Sequence, residues 1–453
     1  MVVQSKASIE SDKEERKEEE DKVNDLEDPN DMFHPVIFQD DITKVSEDIE
    51  SAKIANEKVV RVVESKLLTL NSDKSTYLVM GDEKSRRALL KKLEKDPLLL
   101  DGTPMKYSVS AKYLGSQLSK NLSESVSATV SKRLSLASCS IFDIRSIVDD
   151  KRVESIGSLS TAFLMYEMAV IPAVLSQAET WIGMKQKTIK DLEKIQLKFL
   201  RLVLGVGTGC PIPMMYAHTG TQLMANRVLL RKILMLWHVA NLPTNTLANQ
   251  TYRREVEQYE SDLTIVSLVS ECRPYLSQFG VTDLQAYTKQ QFKRIMKHKI
   301  FMKNKNDVCS MAVGYKKIDY EAFLNEPFVL KDYFKSLSVA FSRLQFKIFA
   351  RVTPKIASNF HRDPRYKSIN YRCVGCSVGV TGGAGGESDG GKGVGSDSGK
   401  GLNNSVDSES HVLRCFAYAE ERRNLDLSVQ TDMLKYFQLV IDRRIEEEKN
   451  NMS

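Results

Sequence analysis

The chain has 453 residues, of which 42% are hydrophobic, and a formal net charge of +6. This apolar content is enough for more than one core, so two or three domains are expected. The longest apolar run, STAFLMYEMAVIPAVLS, contains Glu167 and Pro172 and is short for a bilayer span, and the start lacks a signal-peptide core. We therefore expect no membrane partner and an intracellular location, in the cytoplasm and/or the nucleus.

Charge is distributed unevenly along the chain. Residues 1–30 carry 11 acidic and 5 basic side chains and few apolar ones, so this segment is predicted to be an acidic, disordered tail. The other residues then carry a net charge of +12, which favours a polyanionic partner.

Residues 31–118 are predicted to form a small α/β unit. HPVIFQDDITKV predicts two short strands that meet at a tight turn, and DIESAKIANEKVVRVVESKLLTL has apolar residues at helical spacing. STYLVMG predicts a strand that ends at Gly81, followed by a charged helix and by a hairpin that turns at Asp101-Gly102.

Residues 119–365 are predicted to be consecutive helices, separated by segments such as GVGTGCPIP and NLPTN. Residues 366–425 contain a Gly/Ser-rich loop over 377–410, and a helix with a tail closes the chain over 426–453. The predicted fold class is α+β and predominantly helical.

Basic side chains cluster on predicted helices. In MKQKTIKDLEKIQLKFLRLVLG they are spaced 3-4-4-3 and share one face opposite an apolar one. A second cluster, FKRIMKHKIFMKNK, includes Lys293, Arg294 and Lys297. Such faces bind phosphate backbones without sequence preference, although each could instead be an ordinary solvated surface. The cations of the first helix are Lys187, Lys190, Lys194, Lys198 and Arg201.

A third predicted helix repeats Arg343, Lys347 and Arg351 at intervals of four residues, which places all three on one face. Three cationic faces in one helical region favour a nucleic-acid contact over three unrelated solvated surfaces.

A set of zinc-type ligands lies near the C-terminus. Cys373 and Cys376 are separated by two residues, and His411 precedes Cys415 by four positions. Each pair can present both side chains to one cation, so three cysteines and one histidine could hold tetrahedral zinc. The alternative is a set of unconnected thiols and a surface histidine.

Asp40 and Asp41 lie between apolar residues at the predicted tight turn of VIFQDDI. By itself this pattern favours a turn with two solvated carboxylates. The alternative is a metal site, because two-metal nucleotidyl transfer needs carboxylates around closely spaced cations, usually including one from a separate strand.

Six segments occur in an order that resembles the rear half of a LINE-type (non-long-terminal-repeat) retrotransposon reverse transcriptase. They are FQDDI, LTLNSDKSTYLVMG, AKYLGSQL, IPAVLSQAETW, LEKIQLKFLRLVLG and the Cys/His set, and the similarity covers roughly residues 32–425. The resemblance implies a partial polymerase palm over 31–118, a helical thumb or connection region over 119–365, and a zinc knuckle over 366–425.

The resemblance also implies roles for single residues. FQDD is similar to the aromatic-x-Asp-Asp hairpin of the palm, so Asp40 would be the Mg²⁺ ligand and Asp41 its catalytic neighbour. LNSDKS implies that Lys74 donates a proton to the leaving pyrophosphate. KYLG implies that Tyr113 and Gly115 help to hold the primer end.

The resemblance also defines what is missing. The family's fingers and its first catalytic aspartate, on another palm strand, should precede FQDD by far more than the residues present. The knuckle departs from the family pattern in its His-x3-Cys spacing and long Gly/Ser insertion. We therefore expect zinc in the knuckle, Mg²⁺ only in a complete palm, and no polymerase activity from this chain alone.

Two functions follow as hypotheses. The first is a truncated RNA-directed DNA polymerase fragment that retains binding to RNA and/or DNA, with a separate chain that supplies the missing portion as an expected partner. The second is a repurposed, non-catalytic nucleic-acid-binding or scaffold protein. The sequence does not define an oligomeric state.

Overall fold

The computed structural model is predominantly helical with a small number of short strands, as the sequence predicts. Within the part of the chain that is described, no helix is both long and apolar enough to cross a membrane. The described residues are 2–8, 36–38, 41–66, 69–149, 158–315, 318–352, 425 and 430–450.

Among the described residues, the strands lie within the first 119 positions of the chain. They are β1 (Val2–Ser8), β2 (Val36–Phe38), β3 (Asp41–Val45), β4 (Thr69–Leu70), β5 (Thr76–Leu78), β6 (Leu99–Leu100), β7 (Thr103–Pro104), β8 (Lys106–Tyr107), β9 (Ser110–Tyr113) and β10 (Ser116–Ser119).

Two helices lie among the strands and the others follow them. They are α1 (Ile49–Ser65), α2 (Glu83–Lys95), α3 (Leu122–Asp149), α4 (Ser158–Met165), α5 (Ile171–Val174), α6 (Gln186–Leu204), α7 (Ile212–Thr219), α8 (Met224–Ala240), α9 (Leu247–Ser261), α10 (Leu268–Gln278), α11 (Lys289–Ala312), α12 (Tyr320–Leu324), α13 (Tyr333–Ser336), α14 (Val339–Phe349) and α15 (Gln430–Asn450).

Short polar side chains start several of these helices where the sequence changes from loop to apolar periodicity. The Asp48 carboxylate accepts a hydrogen bond from the Ser51 amide at 2.8 Å and begins α1. Asp82 begins α2 in the same way, and Thr288 forms a capping box with Gln291 at the start of α11.

The main sheet has the strand order β2-β3-β1-β5-β8, with β4 also paired to β1. Strands β2, β3 and β5 form an antiparallel arrangement around β1, whereas β8 runs parallel to β5. Two separate hairpins, β6–β7 and β9–β10, follow in the chain.

The central position of β1 differs from the sequence expectation, which placed residues 1–30 in a disordered acidic tail. Val2–Ser8 instead pairs with β3 on one side and with β4 and β5 on the other. The acidic side chains begin only at Glu10, and VVQSKAS starts with two β-branched residues, which favour an extended backbone.

The chain divides into two compact units, each built from several segments. The first comprises Met1–Leu134, Gln177–Ile189 and Met235–Thr282, and the second comprises Ser135–Ser176, Lys190–Leu234 and Asp283–Ser453. The boundaries expected from the sequence, at 118 and 365, stay a prediction.

The core of the first unit brings α1, α2 and the sheet together. Ala52 of α1, Tyr77 of β5, Leu93 of α2 and Leu100 of β6 belong to one buried cluster, which Met105 also joins. This packing fixes the strands that follow the predicted Asp-Asp turn.

The core of the second unit is aromatic. The Tyr166 and Phe199 rings stack with centroids 3.8 Å apart, and Phe163 lies edge-on to Phe199 at 5.7 Å. Phe163 also contacts Phe334, which in turn lies beside Phe346 of α14. Stacked and edge-on pairs of this kind add stability beyond the area they bury.

Candidate nucleic-acid interface

The predicted tight turn in VIFQDDI lies in an antiparallel hairpin. Strands β2 and β3 pair from Val36 opposite Thr43 to Phe38 opposite Asp41, so two residues connect them. Asp41 is the first residue of β3 and pairs through its backbone with Phe38 and with Lys6 of β1. Asp40, expected to be the Mg²⁺ ligand, lies outside the described residues.

Lys74 lies in a turn that contacts β1, the strand that also pairs with β3. The 3-10 turn Ser72–Lys74 connects β4, which pairs with the end of β1, to β5, which pairs with its beginning. The Asn71 side chain accepts a hydrogen bond from the Lys74 amide at 3.1 Å and shapes the turn. The Lys74 side chain is exposed, so it is accessible to a ligand at this end of the sheet.

The strand beside the Asp hairpin carries no carboxylate. Its sequence is VVQSKAS, and the residue in register with Asp41 is Lys6. A two-metal site usually includes an acidic ligand from a separate strand, and the sequence of β1 contains none. Among the residues that the structure describes, no three His, Cys, Asp or Glu side chains come together to hold a metal ion.

The KYLG segment forms the tip of the β9–β10 hairpin. Tyr113 pairs with Ser116, and the two residues between them have positive φ angles, 45° at Leu114 and 83° at Gly115. This is the backbone of a tight two-residue hairpin turn. It is tolerated at Gly115, but it is strained at leucine, because a branched side chain rarely adopts it.

The SQAETW segment holds this turn in place. Gln177 donates from Nε2 to the Leu114 carbonyl at 2.7 Å, and its Oε1 accepts hydrogen bonds from the Ser116 hydroxyl and from Arg133 at 3.3 Å. Gln177 has a left-handed backbone itself, with φ of 55°. Thus two segments that the sequence singled out separately are joined by one amide side chain.

Arg133 of α3 also holds the Leu114–Gly115 turn, through hydrogen bonds to Gln177 and to the turn itself. Its guanidinium also donates to the Gly115 carbonyl at 3.4 Å and lies 5.7 Å from the centre of the buried Trp181 ring. Burial lowers the pKa of Arg133, although it stays charged at neutral pH. A cation stacked on an indole is restricted in orientation, which keeps it aimed at the turn.

The cations predicted on α6 differ in their surroundings. Lys187 and Lys190 are exposed, and Lys194 forms an ion pair with Asp191 at 2.9 Å. Lys198 is partly buried, with its ammonium 4.6 Å from the Phe142 ring centre. Arg201 is partly buried as well.

Helix α11 has a more uniform cationic surface. Its buried side is formed by residues four apart, such as Phe292, Met296 and Ile300, so the cations between them face solvent. From Lys289 to Lys305 the helix has no acidic residue. No acidic partner is found within the described residues for its exposed cations, which are Lys289, Lys293, Arg294, Lys297 and Lys299.

The third cationic face, expected on α14, does not form. Arg343 donates from Nε to the Val203 carbonyl at 2.9 Å and from Nη2 to Asp149 at 2.8 Å, so it caps the end of α6. Lys347 is partly buried, and this burial lowers its pKa. Arg351 follows the end of the helix. The sequence spacing was correct, but the first of these cations has an internal structural partner.

The proposed zinc ligands Cys373, Cys376, His411 and Cys415 lie outside the described residues. Zinc binding by this set therefore stays a prediction from the sequence, where three thiolates and an imidazole are the donor chemistry that zinc prefers.

Sequence reasoning missed a partly buried acidic residue on α6. Glu193 accepts hydrogen bonds from the Tyr216 hydroxyl at 2.8 Å and from the Met224 amide at the start of α8. Burial raises its pKa, because desolvation outweighs these bonds. The signal in the sequence was its position, since Glu193 follows the buried Leu192 directly and precedes the buried Ile195 by two residues.

A scan against protein-family models, a search of curated proteins and a search of solved structures each returned no match. The function of the chain is therefore inferred from its own residues.

Proposed function

We propose that this chain is a reverse-transcriptase-like segment that binds RNA or DNA through cationic helix surfaces and does not polymerise by itself. One observation carries the proposal of binding: α11 exposes five cations for which the described residues contain no acidic partner. Unpaired cations release counterions from a phosphate backbone on binding, whereas a paired cation must first lose its partner.

Helix geometry supports a linear contact. Lys289, Lys293 and Lys297 follow one another at intervals of four residues, so they lie on one side of α11 and rise about 6 Å per step. Arg294 flanks this row. A row of this kind follows a phosphate backbone without reading bases, which favours binding that is independent of sequence.

The β1 register supports the absence of polymerisation. The strand next to the Asp hairpin places Lys6, rather than a carboxylate, opposite Asp41. The seven residues of β1 include no acidic ligand for a two-metal Mg²⁺ centre, and no catalytic step is derived through one. In the knuckle, Cys373, Cys376, His411 and Cys415 have the chemistry to hold zinc, which would join the two halves of that segment.

Equilibrium binding tests the cationic surface. The variant Lys293→Gln/Arg294→Gln/Lys297→Gln should lower the slope of log affinity against log salt by about 2 to 3 for a duplex, at about 0.9 per phosphate contact. The control Lys91→Gln/Lys92→Gln/Lys95→Gln removes the same charge from exposed positions on α2. Equal slopes for the two variants would contradict a local contact on α11.

Primer extension tests the absence of activity. Purified protein with Mg²⁺, a primer and a template should give no templated incorporation. Incorporation that Asp40→Asn abolishes would contradict the proposal.

A second candidate is a non-catalytic scaffold that binds nucleic acid. The backbone register of Lys6 with Asp41 also favours this second candidate. In it, the sheet has no catalytic role and serves only to support the fold. A separate chain with polymerase fingers and palm, added to this protein, distinguishes the two candidates. The first predicts primer extension by the mixture beyond that of the added chain alone, and the second predicts none.

A further inference from the structure

The first unit contains a cleft between the end of α8, α9 and the start of α10. Its volume is about 310 Å³, which is at the lower end of the range for clefts that bind small ligands. Leu236 and Val239 of α8 and Leu268, the first residue of α10, line it with aliphatic side chains. A cleft of this size and polarity favours a small ligand with an apolar body.

The α9 side of the cleft adds one carboxylate to apolar surroundings. Leu247, Ala248, Tyr252 and Glu255 all line the cleft, and at about 100° per residue they share one side of the helix. Thr251 lies among them, but its hydroxyl donates a hydrogen bond to the Leu247 carbonyl at 2.9 Å and is satisfied within the helix. Glu255 follows Leu247 by about 12 Å along the helix axis, so apolar residues precede the charged one.

Hydrogen bonds fix α9 against both of its neighbours. The Asn249 side chain is only 3% exposed, and its amide nitrogen donates to the Val239 carbonyl at 3.1 Å and to the Ala240 carbonyl at 3.3 Å. On the other side, the Glu255 carboxylate accepts a hydrogen bond from the Val269 amide at 3.2 Å. The cleft is therefore preformed, which lowers the entropy lost when a ligand binds.

We propose that this cleft binds a small hydrophobic amine, whose ammonium group is held by Glu255 and Tyr252. Glu255 is partly buried and forms no ion pair within the described part of the chain, so its charge is available to a cationic ligand. Tyr252 precedes it by three residues, and an aromatic ring at this spacing attracts the same cation. A ligand with many polar groups would leave them without partners against the aliphatic walls. The site is separate from the cations of α11 and does not depend on the proposed function.

Three probes that share one apolar body and differ in charge test the site. They are phenylbutylamine, phenylbutanol and phenylbutyrate, titrated into the full-length protein at neutral pH and followed by ligand-observed NMR. The amine should bind with a dissociation constant of about 1 mM or lower, as expected for a ligand of this size. It should bind about fivefold to tenfold more tightly than the alcohol, and the carboxylate should bind more weakly than the alcohol.

Two variants with matched controls locate the contact. Glu255→Gln keeps an acceptor for the Val269 amide and removes the charge, so amine and alcohol should bind equally, whereas Glu257→Gln at an exposed position of the same helix should keep the preference. Ala248→Phe fills the cleft from an exposed position and should weaken binding of the amine and the alcohol about tenfold or more, whereas Ala322→Phe on α12 should not. Circular dichroism checks that each variant is folded, and the Glu255→Gln result decides the proposal by itself if Ala248→Phe does not fold.

Four results would overturn the proposal. They are no binding of the amine to wild type, an unchanged preference for the amine in Glu255→Gln, an equal loss of preference in Glu255→Gln and Glu257→Gln, and full affinity for the amine in folded Ala248→Phe. None of them bears on nucleic-acid binding, because the salt dependence of the α11 variant is measured without these probes.

Discussion

Replacing the partly buried Glu193 by alanine should destabilise the second unit strongly. The substitution removes the acceptor for the Tyr216 hydroxyl, 2.8 Å away, and for the Met224 amide that begins α8. A buried donor without an acceptor costs about 1–3 kcal/mol, and Tyr216 keeps a longer contact with Gln196 at 3.3 Å. We therefore expect Glu193→Ala to lower the free energy of unfolding by about 2–4 kcal/mol.

Urea denaturation followed by circular dichroism measures this loss. The control is Glu257→Ala on the exposed side of α9, where the change should stay within about 0.5 kcal/mol. A loss below about 1 kcal/mol for Glu193→Ala, or equal losses for the two variants, would refute the reasoning, because the hydrogen bonds would then contribute no net stability.

Glu193 should also make the free energy of unfolding depend on pH, with a sign that follows from its raised pKa. Burial raises the pKa of Glu193 above its ordinary value of 4.5, so the folded state holds this proton more tightly than the unfolded state. Its contribution to stability is therefore complete below about pH 4.5 and is lost as the pH rises through the raised pKa. The stability of wild type relative to Glu193→Gln should fall over that range; a constant difference would contradict the burial.

Three other changes have defined outcomes. Arg343→Met should cost about 2–3 kcal/mol in urea denaturation, because the end of α6 loses its donor. The same variant tests the pairing with Asp149. Burial alone would raise the pKa of Asp149, but hydrogen bonds from Arg343 and Arg145 lower it, so wild type should lose stability below pH 3.8 and Arg343→Met should lose less. Parallel profiles of stability against pH for the two proteins would contradict the pairing. Gly220→Ala should lower stability by about 2 kcal/mol or more in thermal unfolding, because the φ of Gly220 is 65° and the added Cβ would lie 2.9 Å from backbone atoms of Val329 and Leu330. The control Gly209→Ala places its Cβ in open space and should cost less than half as much. Dialysed protein should retain about one equivalent of zinc by metal analysis and lose it in Cys373→Ser; less than half an equivalent in wild type would argue against the knuckle.

The local features of the fold were readable in the sequence. The β2–β3 pairing, the helices that follow Asp48 and Asp82, and the Asp101-Gly102 hairpin all depend on residues close together in the chain. Turn chemistry and side-chain capping act over two to four residues, so a single sequence shows them.

Long-range partners were not readable. The pairing of β1 with β3 and β5 joins positions far apart, and VVQSKAS is too short for a clear strand pattern. Arg343 reaches α6 across 140 residues and Gln177 reaches Leu114 across 63, so an exposed cation and a loop amide looked ordinary in sequence. Such roles depend on which surfaces meet, and spacing along one helix does not contain that information.

Lysine acetylation followed by mass spectrometry, with and without a bound RNA–DNA hybrid, tests the central claim most directly. Contact with a phosphate backbone shields an ammonium group from the reagent. The account predicts that the hybrid slows acetylation of Lys293 and Lys297 on α11 several-fold, while Lys91 and Lys95 on α2 react at the same rate as in the free protein. Equal rates at Lys293 and Lys297 with and without saturating hybrid would contradict it.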